Sequence, residues 1–233
     1  MRFVELRKSA PGLLRLADPV LGAVIADVGA CRLRLNRDRF GLLARSILYQ
    51  QLSGHAARAI HRKLEAELGD APLNPDGLAA LSDEQYRRAG VSAQKRRYLR
   101  SLADHVLTRR LRLDKVTRLP DDEVIAQLVD VDGIGVWTAQ MFLIFSLGRP
   151  DVLPVGDLGI RQAIRRLYEL SDAPKPAECE RIAQPWRPYA SFACWYLWRS
   201  LDNDPVTTRS SSKQRVRASA PRTPLPASRK EPR

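Results

Sequence analysis

The feature that most constrains this fold is a regular succession of helix start and stop signals between Asp18 and Leu201. Asp18 followed by Pro19 is typical of a helix N-terminus, and Gly29 stands where that helix would end. Further helices are predicted to start at Asp38, Asn74, Ser82 and Ser92. Period-two alternation is limited to short stretches at 32–35 and 111–114, so the predicted fold class is all-α.

The charge of the chain indicates a polyanionic partner. The 233 residues carry a formal net charge of +13, and nucleic acid is the usual partner of so basic a protein. The segment 206–233 holds eight Lys or Arg against one Glu and so supplies +7, which leaves +6 on the remainder. This tail is rich in Ser, Pro and Arg, and its composition predicts disorder. Its role is open between non-specific DNA binding and a solubilising extension.

The cysteines and the hydropathy pattern bear on location. Cys31, Cys179 and Cys194 are few and widely scattered, which fits neither a disulfide framework nor a metal site. No apolar run approaches the roughly 18 residues that a membrane span requires, and the N-terminus lacks the pattern of a secretory signal. We therefore expect a cytoplasmic protein. We also expect it to be monomeric and to associate with a bacterial-type nucleoid.

The stretch GIGVW at 133–137 separates two helical patterns. A helix starting near Val136 would direct the backbone amides of residues 133–137 outward from its positive end, where they can bind a phosphate. Glycine at positions 133 and 135 allows a close approach and a tight turn. A plain turn between two helices would show the same letters, and the basic charge favours DNA over that interpretation.

Asp157 stands immediately before the predicted helix 158–170, one short loop after the hairpin helix. On spacing alone it could be only an N-cap, whose charge the helix amides stabilise. An anionic group beside a phosphate-binding hairpin also suits cleavage of an N-glycosidic bond, because positive charge builds up on the sugar as that bond breaks.

Four blocks of the sequence together carry a resemblance. They are SILYQQLSGHAARAI at 46–60, VDGIGVWTA at 131–139, DVLPVGDLGI at 151–160 and WRPYASFACWYLW at 186–198. In this order they resemble the helix-hairpin-helix DNA glycosylase superfamily and, within it, the DNA-3-methyladenine glycosylase II family. The resemblance implies two helical subdomains with a cleft between them, and a damaged nucleotide flipped into that cleft.

The resemblance also implies a division of the chain. Residues 35–148 would form a central subdomain that ends in the hairpin, and residues 149–205 a C-terminal subdomain that carries Asp157. Residues 1–34 would pack with the C-terminal subdomain, and 206–233 would be the basic disordered tail. An N-terminal α/β domain, present in some relatives, is expected to be absent.

Site roles follow by position in the family pattern. Asp157 falls on the catalytic aspartate, and Trp198 falls where relatives stack an aromatic ring on the flipped base. Trp137, Tyr49 and Met141 are further candidates for lining the base pocket. DNA would be bound by Gly133, Ile134, Gly135 and Thr138, and Gln51 falls on the wedge that fills the gap left by the flipped base. No cofactor is expected, although relatives hold a monovalent cation with hairpin carbonyls. Trp137 replaces the lysine nucleophile of bifunctional relatives, so strand cleavage is not expected.

Structural alternatives remain for several of these residues. Trp137 and Trp198 could be core residues, since tryptophan is usually largely buried. Gln51 could be a satisfied polar residue at a helix end. Two positions depart from the family pattern: Asp132 stands in place of proline before GIG, and Ala190 in place of an arginine. The four cysteines that hold an iron–sulfur cluster in several relatives are missing.

The predicted function is excision of cationic alkylated purines, such as 3-methyladenine and 7-methylguanine, from duplex DNA. Aromatic rings and a carboxylate offer no general acid, whereas a purine alkylated at N3 or N7 already carries the charge that makes it leave. Two alternatives stay open: a helix-hairpin-helix protein that binds DNA without catalysis, and a glycosylase for other damaged bases.

Overall fold

The computed structural model describes residues 3–69 and 71–202, and within them the chain is helical with no strand. Twelve helices follow one another in these ranges: α1 Phe3–Ala17, α2 Pro19–Val28, α3 Arg39–Tyr49, α4 Gly54–Glu67, α5 Pro75–Ala80, α6 Asp83–Arg88, α7 Ala93–Leu107, α8 Asp121–Val129, α9 Val136–Phe142, α10 Leu158–Leu167, α11 Pro176–Ala183 and α12 Ala190–Asp202. Single 3₁₀ turns lie at Val116–Arg118 and Gln184–Trp186. The predicted fold class is confirmed, and the tail at 206–233 lies outside the described residues.

Most helix starts coincide with the predicted polar residues. The side chains of Asp18, Asn74, Ser92 and Asp157 each accept a hydrogen bond from the backbone N–H three residues further on. Ser82 and Gln85 form the predicted capping box. These bonds satisfy N–H groups that have no partner within the helix, so a short polar side chain sets each start.

Two helical segments differ from the sequence-based expectation. Helix α1 precedes the first predicted helix and has Pro11 in its interior, where proline removes a hydrogen bond. Its residues Ala10 and Leu14 are fully buried, and that packing offsets the local cost. The helix after the hairpin is α-helical only to Phe142 and continues as a π-helical turn over Leu143–Leu147.

The helices form two groups according to which helices pack together. Helix α3 packs against α4, α7 and α9, and α8 packs against α9. At the other end, α12 packs against α1, α2 and α10. The Tyr196 hydroxyl on α12 donates to the Gly29 carbonyl at 2.9 Å, which ties the N-terminal segment to the C-terminal helices.

One continuous core of buried apolar side chains underlies both groups. No helix in the ranges 3–69 and 71–202 is long and apolar enough to cross a membrane. The division at residues 35 and 149 stays a prediction, while the packing of α1 and α2 against α12 is an observation.

Candidate active site

The hairpin turn, residues 130–135, lies between α8 and α9, and the GIGVW stretch continues into α9. Gly133 adopts a left-handed backbone conformation with φ +82°. A Cβ atom at this position would lie 2.3 Å from Cδ2 of Tyr98. Both the backbone angle and the contact with the Tyr98 ring therefore require glycine. Because Tyr98 belongs to α7, this contact packs the turn against α7.

Among the described residues, no side chain caps the N-terminus of α9. Gly135 is its N-cap residue without a side-chain hydrogen bond, and a Cβ there would meet nothing within 4 Å. The expectation that all amides from 133 to 137 point outward is wrong for Ile134, whose N–H donates to the Val131 carbonyl at 3.0 Å. The Ile134 side chain is buried. That residue builds the turn, and its amide is occupied within it.

Asp157 begins α10 and is held by three N–H donors. Its Oδ1 accepts from the Ile160 backbone N–H at 2.8 Å and from Trp198 Nε1 at 3.0 Å. Its Oδ2 accepts from Trp137 Nε1 at 2.7 Å. The side chain is 9% exposed, so it is more enclosed than a simple surface N-cap, and it lies directly beside the hairpin helix.

The two tryptophans belong to different helices and donate to different oxygens of this carboxylate. Trp137 lies in the first turn of α9 and is 48% exposed, so it is not a core residue. Trp198 lies on α12, is half-buried, and packs on the Phe145 ring at 5.6 Å between centroids with an interplanar angle of 31°. Sequence reasoning missed Phe145, which the π-helical turn carries.

The other predicted pocket and hairpin residues have different surroundings. Tyr49 and Met141 are half-buried and pack against the core, and the Tyr49 ring contacts His61 edge-on at 6.4 Å. Thr138 is buried on α9. A place for Tyr49 and Met141 in the base pocket stays a prediction, as does a DNA contact of Thr138.

Gln51 lies in the turn between α3 and α4, is exposed, and has φ +56°. A non-glycine residue in this region of the Ramachandran plot is uncommon and is held there by its surroundings. The neighbouring Gln50 donates from Nε2 to the Gly133 carbonyl at 2.8 Å. Lys95 donates from Nζ to the carbonyls of Leu48 and Gln50, at 2.6 and 2.8 Å.

The Gln50 bond fastens the turn at 50–53 to the hairpin, and the Lys95 bonds fasten the end of α3 to α7. Partial burial lowers the pKa of the Lys95 ammonium. Neither Gln50 nor Lys95 was singled out from the sequence, since partners 83 and 45 residues away carry no local signal.

The backbone N–H groups of the two residues that depart from the family pattern, Asp132 and Ala190, each donate a hydrogen bond. Asp132 is exposed, and its N–H donates to Ser101 Oγ at 3.2 Å. It lines a surface cleft that contains both arginines and other carboxylates, namely Arg97, Arg100, Arg110, Asp104 and Asp130. Ala190 is buried at the start of α12, and its N–H donates to Asp151 Oδ1 at 3.2 Å.

A thiol close to the site is not a candidate nucleophile. Burial, followed by the charge of Asp157, raises the pKa of the Cys194 thiol, and a thiol with a raised pKa stays protonated and unreactive at neutral pH. In the described part of the chain, no three His, Cys, Asp or Glu side chains are grouped closely enough to hold a metal ion.

Comparison with known proteins places this geometry in context. Residues 44–188 match the profile described as HhH-GPD superfamily base excision DNA repair protein. DNA-3-methyladenine glycosylase 1 of Schizosaccharomyces pombe is 34% identical over 160 residues, which cover 68% of this chain and 70% of the relative.

Two solved structures are similar over most of their length. The DNA-3-methyladenine glycosidase of Bacillus halodurans superposes with a TM-score of 0.77 at 36% identity, over 84% of this chain and 90% of that one. The S. pombe 3-methyladenine DNA glycosylase Mag1, solved in complex with abasic DNA, gives 0.72 at 31% identity, over 82% and 95%.

Proposed function

The chain belongs to the HhH-GPD superfamily of base excision DNA repair proteins, and we propose that it is a monofunctional DNA glycosylase for alkylated purines. It would flip the damaged nucleotide out of duplex DNA and hydrolyse the N-glycosidic bond. The products would be the free base and an abasic site in an uncut strand. Relatives named as DNA-3-methyladenine glycosylases support this assignment.

The observation that carries the proposal is the position of the Asp157 carboxylate. It begins α10 and is joined by a hydrogen bond of 2.7 Å to Trp137 in the first turn of the hairpin helix. The anion is thus fixed beside the segment that would hold the DNA backbone. As the base departs, the deoxyribose becomes cationic, and a prepositioned carboxylate stabilises that charge.

The strand is expected to remain intact because of Trp137. Lyase chemistry requires an amine that forms a Schiff base with the opened sugar, and an indole cannot do so. Hydrolysis needs only one water molecule, whose hydroxyl bonds to C1′ while its proton is released. Asp157 would orient that water, and the base would leave with the electron pair of the broken bond.

Cationic purines are the bases that this site favours. The exposed ring of Trp137 offers an aromatic face near a carboxylate. A desolvated cation on such a face gains about 2 kcal/mol, and stacking of a base adds roughly 1–3 kcal/mol. A purine methylated at N3 or N7, such as 3-methyladenine or 7-methylguanine, carries positive charge and leaves without protonation by the enzyme.

DNA binding would use the open start of α9 and the turn at 50–53. Amides at the hairpin would bind a phosphate without reading sequence, and exposed Gln51 would fill the gap in the duplex. The carbonyls of Val131 and Gly133 already accept bonds from Ile134 and Gln50. Each keeps a second lone pair, so a monovalent cation held there would be compatible with this turn and would offset phosphate charge.

The test is release of methylated purines from N-methylated duplex DNA by purified protein, measured by chromatography of the free bases. We expect 3-methyladenine and 7-methylguanine to be released and the strand to stay uncut until alkali is added. Release of neither base by folded protein that binds the duplex would favour a DNA-binding role without catalysis. Release of other damaged bases alone would leave the enzyme class and change the substrate.

A further inference from the structure

Asp157 is fixed by both indoles of the site as well as by its own helix. Oδ1 accepts from the Ile160 N–H and from Trp198 Nε1, and Oδ2 accepts from Trp137 Nε1. The two rings belong to different helices, α9 and α12. An N-cap needs only the backbone bond to Ile160, so the two side-chain donors require a separate explanation.

A carboxylate offers about four lone-pair sites for hydrogen bonds. The two donors on Oδ1 occupy both sites of that oxygen, and Trp137 occupies one site of Oδ2. One site on Oδ2 remains. A single water hydroxyl would complete the set, and its position would then be defined by the other three bonds.

We infer that Trp137 and Trp198 are positioning residues, whose N–H groups set the orientation of the Asp157 carboxylate and thereby the place of the attacking water. This inference rests on the proposed glycosylase function, because it assigns a task to Asp157. It adds to the stacking predicted for these rings: the edge of each indole holds the carboxylate while a face remains for the base.

The surroundings of both rings fit this role. Trp198 is backed by Phe145, and Gly159 leaves room for its edge: a Cβ at 159 would lie 3.1 Å from Asp157 Oδ1 and 3.3 Å from Trp198 Cδ1. Trp137 follows the hairpin turn directly and lies in the first turn of α9. The segment proposed to hold the DNA phosphate therefore also holds the carboxylate.

Replacement of Asp157 by asparagine should remove one of the three hydrogen bonds and retain the other two. An amide oxygen can still accept from Ile160 and Trp198, but the amide nitrogen is a donor and cannot accept from Trp137. Asp157→Asn should therefore break the Trp137 bond selectively while retaining the helix cap. Replacement of this acceptor by a donor changes the environment of the Trp137 N–H, and spectroscopy detects that change without any measurement of enzyme activity.

The first experiment uses the indole N–H signals in a ¹H–¹⁵N spectrum of the full chain. With four tryptophans, each signal is assigned by a single Trp→Phe variant. In Asp157→Asn the Trp137 signal should move upfield, and the Trp186 and Trp195 signals should stay in place. An unchanged Trp137 signal would overturn the inference whatever the enzyme does.

The second experiment measures single-turnover base release and DNA affinity for Trp137→Phe and Trp198→Phe. Phenylalanine keeps an aromatic ring and removes the N–H. Loss of a hydrogen bond to a charged group predicts a rate about 10- to 100-fold lower, with DNA affinity within about 3-fold of wild type. Trp195→Phe is the control, because the Trp195 ring contacts Tyr196 and Arg199.

The outcomes distinguish this inference from the proposed function. No base release by the wild type would refute the function, whereas the indole spectrum would still report the contact. Wild-type rates in both Phe variants, or equal losses in those variants and in Trp195→Phe, would refute the positioning role. A loss confined to DNA affinity would leave the rings as stacking surfaces only.

Discussion

Two aspartates begin helices in nearly the same way, Asp18 at α2 and Asp157 at α10. Each accepts from the N–H three residues on, at 3.1 Å for Asp18 and 2.8 Å for Asp157. Each also accepts from two aromatic side chains. Asp18 Oδ2 accepts from Trp186 Nε1 at 2.7 Å and from the Tyr168 hydroxyl, while Asp157 accepts from Trp137 and Trp198.

The difference lies in what surrounds the donors. Trp186 is fully buried, and it links Asp18 to the 3₁₀ turn that precedes α12. Burial, together with the bond to Asp18, raises the pKa of the Tyr168 hydroxyl, which keeps it a donor. At Asp157, the donor on Oδ2 is a ring that is 48% exposed. One arrangement joins helices inside the protein, and the other places a fixed anion next to the surface.

The second helical residue also distinguishes the pair. Val20 follows Asp18 at this position and is half-buried, whereas Gly159 follows Asp157. At Asp157, the missing side chain lets Trp198 reach Oδ1. Four substitutions test whether the two aspartates differ in this way.

The largest effect is expected for Asp157→Asn. Loss of the charge that stabilises the cationic sugar should reduce single-turnover base release by about 100- to 1000-fold. Thermal stability should stay close to wild type, because the cap is retained and the donor that loses its acceptor belongs to the half-exposed Trp137 rather than to a buried ring. Chromatography of released bases and a melting curve measure the two properties. Near wild-type release would contradict the role of this carboxylate.

Gly133→Ala tests the hairpin, which supplies a donor to Asp157 and has no counterpart at Asp18. The positive φ and the 2.3 Å approach to Tyr98 should cost about 2–3 kcal/mol of stability. Affinity for undamaged duplex should fall as well. Gly135→Ala is the matched control for stability, since its Cβ has open space and its φ is negative. Equal stability of the two variants would show that the turn adapts.

Asp18→Asn should affect stability and spare the chemistry. The amide nitrogen would face the donors Trp186 and Tyr168, and a buried donor without an acceptor costs about 1–3 kcal/mol. Chemical denaturation should show a loss of about 2 kcal/mol, with base release at wild-type rates under conditions where the protein is folded. A reduced rate in folded protein would mean that Asp18 is coupled to the site.

The smallest effect is expected for Gly159→Ala, which makes the site more like that of Asp18. Alanine stabilises a helix interior by roughly 0.5–1 kcal/mol relative to glycine, while the new Cβ would crowd Trp198 and Asp157. We expect equal or slightly higher stability with a rate about 3- to 10-fold lower, as expected from partial loss of one hydrogen bond to a charged group. A faster enzyme would show that the close approach has no function.

Most helix starts can be predicted from local sequence alone. Asp18, Asn74, Ser82 and Asp157 each accept from the N–H group three residues further on, and such bonds depend little on the rest of the chain. The resemblance of four sequence blocks to the glycosylase family also predicted that Asp157 and the glycine hairpin lie in one site. Helix α1 was missed because Pro11 opposes a helix locally, and the burial of Ala10 and Leu14 outweighs it.

Packing between distant segments, which carries no local signal in the sequence, places Asp18 against the fully buried Trp186 and Asp157 beside the exposed ring of Trp137. Trp137 and Trp198 are 20 and 41 residues from Asp157, and Gln50 reaches Gly133 across 83 residues. Contacts of this kind arise when packed helices bring distant residues together. A helix cap is a local property of the backbone, whereas the access of solvent and substrate to that cap depends on packing between helices.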